Sequence, residues 1–145
     1  MEKRKFEWLR EQGIEVSAVL VDSGVKFPNT DKFDKTFHNM FEVTIVRDGI
    51  EVKMPFYGSH KDWGSGVDLL DEENLFGAFE CFVSDALAGD QSFEEFCSSF
   101  GYNEDSRKAE KIWKECEKIS SDYSKLFSFT EWYDKYELYN KLQDL

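Results

Sequence analysis

Phe41-Glu42-Val43-Thr44-Ile45-Val46-Arg47, Asp48-Gly49 and Ile50-Glu51-Val52-Lys53-Met54-Pro55-Phe56-Tyr57 run consecutively, and the reading of the fold turns on them. Asp-Gly between two alternating runs predicts a β-hairpin, because a two-residue type I′ turn needs positive φ at both central residues. Such a turn pairs Arg47 with Ile50, and stepping outward sets Ile45 opposite Val52, Val43 opposite Met54 and Phe41 opposite Phe56, a face that is wholly apolar. The other face sets Glu42, Thr44 and Val46 against Pro55, Lys53 and Glu51. Pattern and turn therefore agree on one register, and a slip of one residue would turn the apolar set to water. Pro55 has no N–H to give to a ladder, which predicts that its strand lies at a sheet edge.

Working outward toward the N-terminus, Glu2 to Gln12 suits one short helix with Phe6 and Leu9 apolar and Gly13 as its stop. Ile14, Val16, Ala18 and Leu20 then recur every second residue, predicting a third strand that Asp22-Ser23-Gly24 should end. Residues 26–39 read as an irregular connection anchored by Phe27, Phe33 and Phe37.

On the C-terminal side, residues 58–66 read as a loop carrying His60 and Trp63. From Asp71, the positions Leu75, Phe76, Phe79, Phe82, Val83 and Ala86 follow a buried helical stripe that Gly89 closes, with Glu73 and Glu80 on the far side. Ser92-Phe93-Glu94-Glu95 is a capping box opening a short helix to Phe100, which Gly101 stops. A long helix is expected from about Asp105 to Leu126, with Ala109, Ile112, Trp113, Cys116, Ile119 and Tyr123 on one face and Glu110 four residues before Lys114. Ser128-Phe129-Thr130-Glu131 reads as a second capping box, opening a terminal helix with Trp132, Tyr136, Tyr139 and Leu142. The expected class is α+β: a small antiparallel sheet of about three strands with four or five helices, mostly C-terminal, in one domain spanning residues 1–145.

Composition agrees with a folded chain. Of 145 residues, 41% are apolar and 17% aromatic, with only two prolines. No run approaches the ~20 apolar residues of a membrane span, and Met1-Glu2-Lys3-Arg4-Lys5 leads into further charges instead of an apolar secretion core. Cys81, Cys97 and Cys116 are an odd, widely spaced set that suits reduced thiols, so a cytoplasmic location without membrane contact is expected.

The net charge of −12 is concentrated: between Lys61 and Asp105 one base stands against twelve acidic residues. Such a field repels a nucleic-acid backbone and attracts a cationic surface, which counts against direct nucleic-acid binding and favours a basic protein partner. Acidic residues also favour helix starts and solubility, the plainer account of the same block. Tests for chemistry find little. The cysteines lie in helical segments, ligand pairs for zinc are lacking, and Gly64-Ser65-Gly66 is followed by carboxylates instead of a phosphate-binding lysine. Glu51-Val52-Lys53 resembles half of a Mg²⁺-dependent nuclease site, but Asp48 sits in the turn and not on a partner strand. The expectation is no metal, no cofactor and no enzymatic activity, with the nuclease as a remote alternative.

The segment from Ser92-Phe93-Glu94-Glu95-Phe96-Cys97 through Phe100-Gly101-Tyr102-Asn103-Glu104-Asp105-Ser106-Arg107-Lys108-Ala109 resembles a signature of small acidic proteins encoded by bacteriophages and other mobile elements. The resemblance covers residues 40–127, leaving 128–145 as a C-terminal helical extension, and Asn103 stands where those proteins commonly have Asp. It implies a setting, the bacterial host cell, and no particular activity. By analogy with phage proteins that offer carboxylates to a nucleic-acid-binding surface, the expected function is inhibition of a host defence nuclease, such as a CRISPR effector. The expected contacts are Glu72, Glu73, Glu80, Asp85, Asp90, Glu94 and Glu95. The alternative is a partner or dimer patch built from Trp132, Tyr133, Tyr136 and Tyr139.

Overall fold

Asp48 and Gly49 turn the chain with φ of 51° and 78°, and the two strands that leave the turn pair as the alternation requires. A computed structural model describes residues 2–26, 37–59, 72–128 and 130–145. These fall into two compact units, Met1–Phe79 and Glu80–Leu145. The architecture is α+β, with a three-stranded antiparallel sheet and, among the described residues, five α-helices.

In the first unit, α1 (Glu2–Glu11) ends at Gly13, whose φ of 76° is the left-handed stop expected of it. The amide of Ile14 still bonds back to the carbonyl of Leu9 at 3.0 Å, so the helix hands over directly to β1 (Glu15–Lys26). β2 (Phe37–Arg47) lies between β1 and β3 (Ile50–Ser59). Register is as the sequence dictates: Arg47 opposite Ile50, Ile45 opposite Val52, Val43 opposite Met54 and Phe41 opposite Phe56. Phe41, Val43 and Ile45 are wholly buried, with Phe6, Leu9, Ile14, Val16, Ala18, Val52 and Met54 also in the interior. At roughly 1.5–3 kcal/mol per fully buried large apolar side chain, burial of this set stabilises the sheet unit. Pro55 is on β3, an edge of the sheet, where its missing donor costs nothing.

Two expectations need correction here. β1 does not stop at Asp22-Ser23-Gly24 but continues to Lys26, because register shifts after Leu20 and after Asp22 absorb the extra residues and let pairing resume at Val25 opposite His38. β2 correspondingly starts at Phe37, inside the stretch read as irregular connection. Phe27, Phe33, His60, Trp63 and Asp71 lie outside the described residues.

α2 (Glu72–Gly89) carries the predicted stripe, with Phe79, Phe82, Val83 and Ala86 wholly buried. Gly89 is more than a helix stop. A Cβ there would run into the Cys116 carbonyl and lie 2.7 Å from the Glu117 amide nitrogen, so only glycine allows the end of α2 to cross the backbone of α4 (Arg107–Phe127). Between them α3 (Phe93–Phe100) opens with the Ser92 capping box and closes at Gly101, φ 73°. Phe96, Cys97, Ala88, Ala109 and Cys116 form one buried cluster, flanked by Phe93, Tyr102, Ile112 and Trp113. The indole of Trp113 donates to the Gln91 carbonyl at 3.0 Å, tying α4 to the turn before α3.

The expected second capping box does not form. Ser128 ends α4, and Thr130 caps a short 3₁₀ helix, Glu131–Tyr133, by accepting from the Trp132 amide at 3.2 Å. Asp134 then caps α5 (Lys135–Asp144), accepting from the amides of Tyr136 at 2.9 Å and Glu137 at 3.4 Å. A carboxylate taking two amides at the positive end of the helix outcompetes a serine hydroxyl. Leu138 and Leu142, not Tyr136, are the buried residues of α5.

Candidate partner-binding surface

Of the carboxylates expected to face a partner, Glu72 and Glu73 occupy the first turn of α2 and belong to the first unit. Their side chains are outside the described set. The others belong to the second unit, and most of them have structural work there. Glu80 is half-buried and accepts from Gln143 Nε2 of α5 at 3.2 Å. Asp90 accepts the Ser120 hydroxyl at 2.5 Å and pairs with the Lys135 ammonium at 3.0 Å. Glu95 completes the capping box, taking the Ser92 amide at 3.3 Å while Ser92 Oγ takes the Glu95 amide at 3.1 Å. Glu94 is exposed and makes no hydrogen bond or ion pair with its side chain among the described residues.

Asp85 differs from all of these. It sits half-buried on α2, where loss of water around it, with the nearby Glu115 carboxylate adding like charge, pushes its carboxyl from 3.8 up to about 6. A carboxyl with that environment offers a weaker and more easily neutralised charge than an exposed one.

The alternative aromatic set is divided as well. Trp132 and Tyr139 are half-buried, and the Tyr123 hydroxyl donates to the Trp132 carbonyl. Tyr133 and Tyr136 are 58% and 68% exposed. Two polar residues that the sequence hid inside the long helix are buried: Ser120, and Asp122, which is clamped by Lys118 at 3.0 Å and Lys125 at 3.6 Å. For Asp122 the i, i+4 and i, i+3 lysines were the available signal; Ser120, whose partner Asp90 is thirty residues away, had none.

The residues weighed for chemistry are also placed. Cys97 and Cys116 are buried free thiols, and Cys81 reaches the surface. Burial pushes all three thiols up, with Asp85 and Glu80 adding at Cys81, Glu104 at Cys97, and Asp85 and Glu115 at Cys116, which rises to about 12. They are held as thiols at neutral pH, the reverse of what an activated nucleophile needs. Lys53 reaches across the sheet to Glu42 at 3.6 Å, and Asp48 is held by its neighbour Arg47 at 3.3 Å. Among the described residues no three His, Cys, Asp or Glu side chains gather to hold a metal ion, and no helix is long and apolar enough to cross a membrane. A surface cleft of about 520 Å³ between α1 and the start of β1 is lined by Phe6, Arg10, Gly13, Ile14, Glu15, Val16, Ser17 and Val46, none of them a cysteine or histidine.

Comparison of the chain with protein-family models, curated proteins and solved structures finds no match.

Proposed function

We propose that this chain is a binding protein that occupies the basic nucleic-acid groove of a bacterial defence nuclease, such as a CRISPR effector, and so blocks entry of the nucleic acid. The supporting observation is the stretch Lys61–Asp105, in which twelve acidic residues face a single base. A groove built for phosphates is already electropositive, and a folded domain with fixed carboxylates competes for it without the ordering cost of a flexible chain.

Four of the expected carboxylates are chosen for the test: Glu94, whose side chain makes no hydrogen bond or ion pair among the described residues, Glu80, whose one hydrogen bond comes from the exposed Gln143, and Glu72 and Glu73 at the start of α2. Asp90 and Glu95 are held in bonds within the fold, and Asp85 carries a raised carboxyl. The test is capture from a lysate of a phage-susceptible bacterium, comparing the natural chain with one carrying Glu72→Lys, Glu73→Lys, Glu80→Lys and Glu94→Lys. The natural chain should retain a nucleic-acid-binding protein that excess DNA or RNA displaces, and the variant should not. Equal capture by both would sink the reading.

A second reading is favoured by one observation, the exposure of Tyr133 and Tyr136 beside the partly covered Trp132 and Tyr139: an interaction surface built on the C-terminal segment. Salt separates the two, since contacts made by exposed charges weaken as ionic strength rises and aromatic packing does not.

A further inference from the structure

Residues 130–140 contain one base, Lys135, set between Tyr133 and Tyr136. Its side chain is only 12% exposed, because the ammonium turns inward to Asp90 at 3.0 Å and lies 5.1 Å from the centre of the Tyr123 ring. The stretch therefore keeps, over residues 131–135 and the first turn of α5, two exposed tyrosines and the exposed carboxylates of Glu131 and Glu137, which make no ion pair among the described residues; the next base along α5 is the exposed Lys141. Asp134 is occupied as the cap of α5.

Exposed aromatic rings close in sequence to carboxylates without an ion pair, with Lys135 turned inward, are suited to a guanidinium, which stacks on a ring while its N–H groups reach an acid. We propose that Tyr133 and Tyr136, with Glu131 and Glu137 beside them, form a docking surface for an arginine-bearing basic segment of a protein partner. A second copy of this chain is the poorer occupant, since both copies would bring a net charge of −12 to the contact. The inference rests on the basic-partner reading above and adds a second contact, on the C-terminal segment, to the acidic stretch.

The probe is a labelled Gly-Arg-Gly-Arg-Gly-Arg peptide titrated into the full chain at about 150 mM salt, where the Debye length is short enough to suppress attraction by net charge alone. The double variant Tyr133→Leu, Tyr136→Leu should bind about tenfold more weakly, a few-fold for each ring lost, while Tyr133→Phe, Tyr136→Phe keeps the natural affinity. Unchanged affinity in the leucine variant would overturn the proposal, because charge is the same and only the rings are gone. Failure of the phenylalanine variant to bind would overturn the ring-stacking account. The chain carrying Glu72→Lys, Glu73→Lys, Glu80→Lys and Glu94→Lys should still bind the peptide, so loss of groove occupation and loss of this docking surface are read separately.

Discussion

The two units use charge in opposite ways. In the sheet-built unit, Met1–Phe79, the interior of the hairpin is apolar and the pair Glu42–Lys53 lies on the outer face with both side chains about half exposed, 45% and 52%. In the helical unit, Glu80–Leu145, carboxylates sit in the seams: Asp90 joins Ser120 to Lys135, Asp122 is 10% exposed between two lysines, and Asp85 is half-buried near Glu115. A strand separates its two faces by strict alternation, so charge stays off the core face until Arg47 at the turn, whose side chain is 20% exposed. Crossing helices leave intermediate positions along every seam, and polar groups placed there must be paired or neutralised. Net charge in the second unit is consequently an overstatement of the charge available to a partner.

The sharpest way to break the comparison is at the helix crossing. Gly89→Ala should destabilise the second unit by about 3 kcal/mol, since the clash is with backbone that cannot rotate away, and denaturant titration should show the loss directly. A cost near that of an exposed mid-helix position, where alanine is favoured over glycine, would mean the crossing is looser than described.

Next in size, Asp90→Ala strands the Lys135 ammonium and should cost about 2–3 kcal/mol, less than a fully buried pair because the Asp90 side chain is 50% exposed. Hydrogen exchange should locate the effect in residues 130–145. Adding Lys135→Met should recover much of it, as replacing both partners of such a pair with apolar groups often does.

Asp85→Asn works in the other direction. Because the folded carboxyl titrates at about 6 and the free one at 3.8, the folded state holds this proton more tightly than the unfolded state. The contribution of Asp85 is therefore most favourable below 3.8 and is lost as pH rises through about 6. At pH 7 the variant should be more stable than the natural chain by about 1–2 kcal/mol, and the gain should vanish toward pH 4. A gain that is independent of pH would assign it to something other than the carboxylate.

The smallest effect belongs to the sheet. A double-mutant cycle on Glu42 and Lys53 should give a coupling below about 0.5 kcal/mol, fading with added salt.

How much of this the sequence disclosed follows from the same contrast. The hairpin register was legible to the residue because the period of two and the Asp-Gly turn constrain it independently. The Ser92 box and Gly101 were legible because their partners lie within a few residues. The end of β1 was not, since a bulge spends residues without leaving a periodic trace. Nor was the start of α5: Ser128 and Asp134 are both followed three residues later by Glu, and the Thr130 cap and the anchoring of Lys135 on Asp90 decide between them. Spacing gave the helix face of each candidate carboxylate. It did not give the distant partner that removes Asp90 from the available set.

The division of charge is tested most directly by measuring the affinity of the captured partner for three chains side by side: the natural one, Asp85→Asn, and the chain with Glu72, Glu73, Glu80 and Glu94 reversed to Lys. The account predicts natural affinity for Asp85→Asn and a loss of at least about a hundredfold for the reversed chain, on the scale of a few kcal/mol for repulsive juxtaposed charges. Equal loss in both, or loss in Asp85→Asn alone, would contradict it.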